Sequence, residues 1–153
     1  MKILKTLCIA AMLAFPLTSN SQQLASCNTC EQRNNDIMTL AEVIYFEARA
    51  EPLNGQIAVA YVVMNRTKDE KFPSTVKQVV NQPGQFSYKF DGVKDVITDD
   101  VAYKNAIIAA ALVVDQRVPD PTYGAMYYKN DTRSKQRWKR RLICKIGNHS
   151  FYA

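Results

Sequence analysis

One stretch limits the fold more than any other. The segment GQIAVAYVVMNRT, residues 55–67, carries apolar side chains around almost its whole helical circumference. A helix with one apolar stripe can lie on a surface, but one that is apolar nearly all round must be enclosed by other elements. The chain therefore has to build its core around this segment. With 153 residues, 47% of them apolar and 22% charged, there is enough chain for one domain with such a core.

The flanking segments supply the enclosing elements. Ile37, Leu40, Ala41, Ile44 and Ala48 recur at helical spacing and predict a helix with Asn35 or Asp36 as its N-cap. Pro52 disfavours helical geometry at Glu51 and ends that helix, which leaves Glu47 in its last full turn. Ser74 starts a short helix, STVKQVV, and NQPGQFS (81–87) is a Pro-Gly turn. Thr98, Asp99 and Asp100 cap a third long helix, DDVAYKNAIIAAALVVDQ, with carboxylates at the positive end of its dipole. Beyond Val118 the texture changes. PDPTYGAMYY (119–128) and RRLICKIGNHSFY (140–152) read as short antiparallel strands, with Leu142, Cys144 and Ile146 on one face. The predicted class is α+β, mainly helical with a small antiparallel sheet in the C-terminal third, and with a cleft where the two parts meet.

The N-terminus, MKILKTLCIAAMLAFPLTSNSQQ, has a basic start, an apolar run from Leu7 to Leu17, and Ser19 and Ser21 at the small-residue positions of a cleavage site. Residues 1–21 are thus expected to be a secretory signal. The apolar run is too short to span a bilayer, so no stable membrane insertion is expected after its removal, and the mature protein is expected to be secreted or periplasmic. Residues 22–35 are polar and aperiodic and read as a linker, leaving 36–153 as the functional domain. Cys8 leaves with the signal; Cys27, Cys30 and Cys144 remain, and export favours one disulfide from Cys144 to Cys27 or Cys30. LASC (24–27) resembles a lipoprotein-processing box, but polar residues separate it from the apolar run, so lipid anchoring at Cys27 is the weaker reading.

Of 20 Lys and Arg residues, Lys2 and Lys5 belong to the signal, leaving 18 against 14 Asp and Glu. The surplus is concentrated in RSKQRWKRR (133–141), a stretch suited to an anionic cell surface or else a solvated face. Export argues against nucleic acid as its partner. With a single histidine, His149, two- and three-histidine metal sites are excluded by count, and no nucleophile elbow, phosphate loop or dinucleotide fingerprint occurs. No metal or cofactor is expected. Acid and base work then falls to carboxylates. Glu47, beside Tyr45 and Phe46 and near an apolar helix, is a candidate for the raised pKa that a general acid needs. An ion pair with Arg49 or Arg66 is the structural alternative, and Glu51 reads equally as a surface charge.

Four blocks weigh on that choice: AEVIYFEARAEPLNGQIAVAYVVMNR, FPSTVKQVVNQPGQFSY, DPTYGAMYY and IGNHSFY. In this order and spacing the chain resembles the cell-wall hydrolase family of the spore-cortex-lytic enzymes over about residues 36–152. The resemblance implies a lysozyme-like domain acting on peptidoglycan glycan strands, with Glu47 matching the catalytic glutamate of a Glu-Ala-x-Gly-Glu block. Ala50 stands where glycine is usual, and Tyr123 replaces the second residue of a usual Thr-Gly-Gly, which puts the shape of that loop in question. A single acid suits a lytic transglycosylase cleaving between N-acetylmuramic acid and N-acetylglucosamine. It further implies that Gln85, Phe86, Tyr127 and Tyr128 line a sugar groove, that Glu51 binds sugar or tunes the site, and that Asn148 and His149 orient substrate or Glu47. Asn65 is expected first to satisfy polar groups within the core, with capping or bracing of the cleft as the alternative, and the protein is expected to act as a monomer. A muramoyl-alanine amidase and a non-catalytic wall-binding module are the alternatives.

Overall fold

In the computed structural model, residues 20–133 and 137–153 are described, with only the backbone course given for 20–28. The predicted signal lies outside these residues except for Asn20 and Ser21, as do Cys8 and residues 134–136 of the basic stretch. Among the described residues, four α-helices precede a three-stranded sheet: α1 (Asn20–Ala48), α2 (Leu53–Arg66), α3 (Val76–Val80), α4 (Asp100–Val114), β1 (Tyr127–Asn130), β2 (Leu142–Ile146) and β3 (His149–Tyr152). A single 3₁₀ turn, Ser87–Lys89, lies between α3 and α4. The α+β class expected from the sequence is the one observed.

Helix α2 is buried from Gly55 to Val63 and packs against α1, α3 and α4, with further contacts to β1 and β2. It is the enclosed centre that its all-round apolarity requires. Local signals set the surrounding boundaries. Thr75 caps α3 by accepting from the Gln78 N–H, and Asp99 caps α4 by accepting from the Ala102 N–H.

Helix α1 departs from expectation. It covers Asn20–Ala48, so residues 22–35 are helical rather than an aperiodic linker, and Asn35 and Asp36 lie inside the helix rather than at its cap. No Pro or Gly interrupts the segment, and Gln32 and Arg33 find partners. Gln32 donates to Asp36 at 2.8 Å across one turn, and Arg33 grips Asp115 at the end of α4 through two 2.6 Å contacts. Ties of this kind leave no apolar periodicity to read.

The sheet is antiparallel throughout, in the order β1-β3-β2, and all four residues of β3 are buried. A register irregularity between Leu142 and Cys144 alters the expected face: Leu142 is exposed, while Ile143, Cys144 and Ile146 pack on the core. A bulge shifts side-chain alternation by one, which pattern reading cannot anticipate. Residues 119–126 form a loop rather than a strand. Asp120 organises it by accepting from Thr122 N–H and hydroxyl and from Gly124 N–H, at 2.7–2.9 Å. Asn65 braces the loop by donating to Asp120 at 2.9 Å and to the Ala125 carbonyl at 3.1 Å. Tyr123 and Gly124 both take left-handed backbone, with φ 52° and 82°, so tyrosine occupies a conformation that glycine adopts more readily. The disulfide expected at Cys144 is absent. Cys144 and Cys30 are free thiols, with Cys30 exposed on α1 and the Cys144 thiol directed at the Pro121 carbonyl, 3.7 Å away.

Candidate functional site

Glu47 occupies the final turn of α1, which carries it to the seam between the helices and the sheet. Half-buried there, it lines a cavity of about 330 Å³ with Arg66 of α2, Gln85, Tyr127 and Tyr128 of β1, and Trp138. The cleft therefore forms where helical and strand halves meet.

Burial holds the Glu47 carboxyl above its ordinary range; the Arg133 charge and a hydrogen bond from the Tyr128 hydroxyl offset part of that rise. Burial also drives the Tyr128 phenol well above its usual value, with the Glu47 charge acting in the same direction. Tyr128 thus remains an O–H donor to Glu47. Behind the acid, the Phe46 and Tyr88 rings stack at 4.6 Å. Both arginines that the sequence offered as partners are engaged elsewhere. Arg49 lies over the Tyr45 ring at 5.0 Å. Arg66, buried, donates from Nε to the Met126 carbonyl at 2.8 Å and faces the rings of Phe72 and Tyr127.

Gln85, Tyr127 and Tyr128 line the cavity with Glu47, as expected of a groove. Phe86 does not. It is fully buried and belongs to the hydrophobic core, because the Pro-Gly turn at 83–84 presents Gln85 outward and its neighbour inward.

Glu51, Asn148 and His149 come together as a separate, mostly buried group. Glu51 Oε2 accepts from the Asn148 main-chain N–H at 2.9 Å and Oε1 from the Asn148 side-chain amide at 3.0 Å. His149 is buried with Nδ1 3.6 Å from Glu51 Oε1, too far for a hydrogen bond. Burial lowers the His149 pKa against the opposing pull of Glu51, so the ring is neutral. These three residues are not among those lining the Glu47 cavity. They adjoin it through the edge contact of His149 with Tyr128, ring centroids 5.4 Å apart, and through the pairing of His149 with Asn130, which lines the cavity. The turn they lock is tight: Gly147 has φ 57°, and a Cβ there would stand 1.9 Å from Glu51 Oε2.

Arg66, Arg133 and Trp138 line the cavity without having been singled out for it from the sequence. Arg66 had a signal, since it is the one charged residue of an otherwise apolar helix. Trp138, the only tryptophan, sits within the basic stretch, and nothing local ties it to the cleft. Among the described residues, no three His, Cys, Asp or Glu side chains gather as a metal site would need.

Residues 50–152 match the cell wall hydrolase family, a match that begins just after Glu47. The chain is 41% identical over 119 residues to a spore cortex-lytic enzyme of Bacillus cereus and 38% identical over 120 residues to that of Bacillus subtilis. These alignments cover 76% and 77% of the chain but 44% and 37% of the relatives, so the chain matches less than half of their length. Among solved structures, it is similar to the catalytic domain of the germination-specific lytic transglycosylase SleB from Bacillus anthracis. The TM-score is 0.62 at 36% identity, over 78% of this chain and 94% of that domain. The catalytic domain of the Bacillus cereus SleB protein is similar at 0.61 and 36%. Sequence and fold agree over most of this chain, and on that ground it belongs to the cell wall hydrolase family.

Proposed function

We propose that this protein cleaves peptidoglycan glycan strands between N-acetylmuramic acid and N-acetylglucosamine as a lytic transglycosylase, with 36–153 as the catalytic unit working outside the cytoplasm. The observation that carries this reading is the environment of Glu47: a half-buried carboxyl with a raised pKa, lining a cleft and hydrogen-bonded by Tyr128. A carboxyl whose protonated form is favoured by burial suits the first step of glycosidic cleavage.

In that step Glu47 gives its proton to the glycosidic oxygen as the bond to C1 of the muramic sugar breaks, and the glucosamine end leaves as a free 4-hydroxyl. The acetamido group of the muramic sugar stabilises C1. The Glu47 carboxylate then takes the proton of the 6-hydroxyl, whose oxygen closes on C1 to form the 1,6-anhydro ring. Atoms balance without water, and Glu47 ends protonated as it began. The Tyr128 hydroxyl steadies the carboxylate between the two proton transfers, since a hydrogen bond to the charged form favours it.

Glycosidases that use water need a second carboxylate flanking the bond. Among the described residues lining the cavity, Glu47 is the one carboxylate, and Glu51 is committed to Asn148. This favours the intramolecular route. The relatives' names point the same way, toward lytic enzymes of the spore cortex and a lytic transglycosylase. Mass spectrometry of products from purified peptidoglycan tests the reading. Anhydro-muramyl ends are expected; free reducing ends would substitute a water-using muramidase, and released peptide amines an amidase.

A further inference from the structure

The cavity around Glu47 does not end at Trp138. Gln85, Tyr127 and Trp138 also form walls of a second, larger cavity of about 760 Å³, whose remaining lining is Arg137, Lys139 and Arg140. Among the described residues lining that second cavity, every charged one is basic. In the first, Lys129 lies 3.5 Å from Asp131, and Arg66 is buried and donates to the Met126 carbonyl. Among the described residues, Arg137, Lys139 and Arg140 form no salt bridge.

A neutral, N-acetylated sugar chain gives three cations nothing to neutralise. Charge enters peptidoglycan at C3 of the muramic ring, the ring whose C1 is attacked, through the lactyl ether and its carboxylate or the acidic peptide attached there. With C1 at Glu47, that acid-bearing substituent is carried on the same ring, within one sugar's width of the reacting carbon. From the shared walls and the sign of the lining, we infer that the Arg137–Lys139–Arg140 cavity is a subsite for the carboxylate carried on O3 of muramic acid.

The side-chain geometry suits that ligand. The Arg140 guanidinium stacks on the Tyr127 ring, 3.5 Å from its centroid. Stacking uses the face of the guanidinium and leaves its N–H edges in the plane, where a carboxylate is gripped by paired hydrogen bonds. Tyr127 in turn lines the Glu47 cavity, so the anion contact and the acid are held by one side chain of β1. Trp138, packed on Tyr152 at 5.3 Å, walls both spaces and offers an apolar face to a sugar ring. Arg137 and Arg140 are exposed, as a binding surface requires.

This inference rests on the glycan-cleaving reading, and binding separates the two. The full chain carrying Glu47→Gln is titrated at low salt with three soluble disaccharides: one with a free lactyl carboxylate, one with an acidic stem peptide, and one with the lactyl group as a neutral amide. At least one acidic form should bind about tenfold more tightly than the neutral amide, the size of one charge-assisted pair. Which acidic form gains more tells the lactyl group from the peptide. Combined Arg137→Gln and Arg140→Gln should bring that ratio close to one while thermal unfolding stays unchanged. Equal binding of all three ligands, or a ratio that survives the double substitution, would overturn the subsite. Lysis of purified peptidoglycan by the wild-type protein, measured alongside, tells whether such a failure stops at the subsite or reaches the cleavage reaction.

Discussion

Glu51, at the end of the loop out of α1, accepts two hydrogen bonds from one residue 97 positions away: the main-chain and side-chain N–H groups of Asn148, at 2.9 and 3.0 Å. This double contact pins the β2–β3 turn onto the helical half. It holds β3 at the height where Tyr128, paired with Phe151 across the β1–β3 ladder, meets Glu47. The second glutamate of the block is thereby a structural clamp in the fold.

Substitutions at the clamp should cost stability first. Glu51→Gln replaces an oxygen acceptor by a donor facing a donor, a loss of about 1–3 kcal/mol. Gly147→Ala brings a Cβ to 1.9 Å from Glu51 Oε2 on a left-handed backbone and should cost about 2 kcal/mol or more. Because Glu51→Ala removes the atom that Gly147→Ala strikes, the losses of those two changes should fall short of additive. Denaturant titration of the single and double variants measures this directly.

Glu47→Gln should separate activity from stability. Glycan cleavage is expected to fall by at least roughly 100-fold, the low end of an acid–base contribution. Stability should move the other way at neutral pH. A carboxyl whose pKa is raised by folding binds its proton more tightly in the native state, so wild-type stability declines as pH rises from the ordinary carboxylate pKa through the folded value. Glutamine escapes that decline. Unfolding curves should show Glu47→Gln above wild type at pH 7, with the gap closing in acid.

Tyr128→Phe keeps the ring against His149 and Phe151 but removes the donor to Glu47. The charged form of Glu47 loses a favourable contact, so its pKa should rise further and the alkaline limb of the pH–rate profile should shift upward. A fall in kcat of about tenfold is expected, matching one hydrogen bond to a charged group. An unshifted alkaline limb would show that Tyr128 does not set the Glu47 proton affinity.

His149 contributes an opposite pH dependence. Its pKa is lowered by burial, so the unfolded chain binds the extra proton first. The stability His149 supports is complete above its unfolded value near 6.5 and is lost as pH falls through the lower folded value. His149→Leu removes the titrating group while keeping an apolar filling, and should flatten the decline in melting temperature below pH 6.5.

How much of this was legible in the chain follows from the range of each interaction. The buried centre at α2, the cap at Asp99, the end of α1 before Pro52 and the position of Glu47 in its last turn are written in residues one to four apart, although the cap of α3 is Thr75 rather than the expected Ser74. Periodicity and capping act over that distance and need nothing from the rest of the molecule. The helical course of residues 22–35 was not legible, because its docking runs through Arg33 to Asp115 on another helix.

The same division runs through the site. Sequence by itself determined that a carboxylate stands at the mouth of an apolar helix pair, and its blocks carried the family. Only the tertiary structure decided that Glu51 turns to Asn148, that Phe86 points into the core while Gln85 points out, and that the bulge at Ile143 exposes Leu142. It also brought Trp138 and Arg140 beside Tyr127. Each depends on which distant atoms share a buried space or a hydrogen bond, and such partners are chosen by packing the whole chain at once, where one register shift or one turn reverses the outcome.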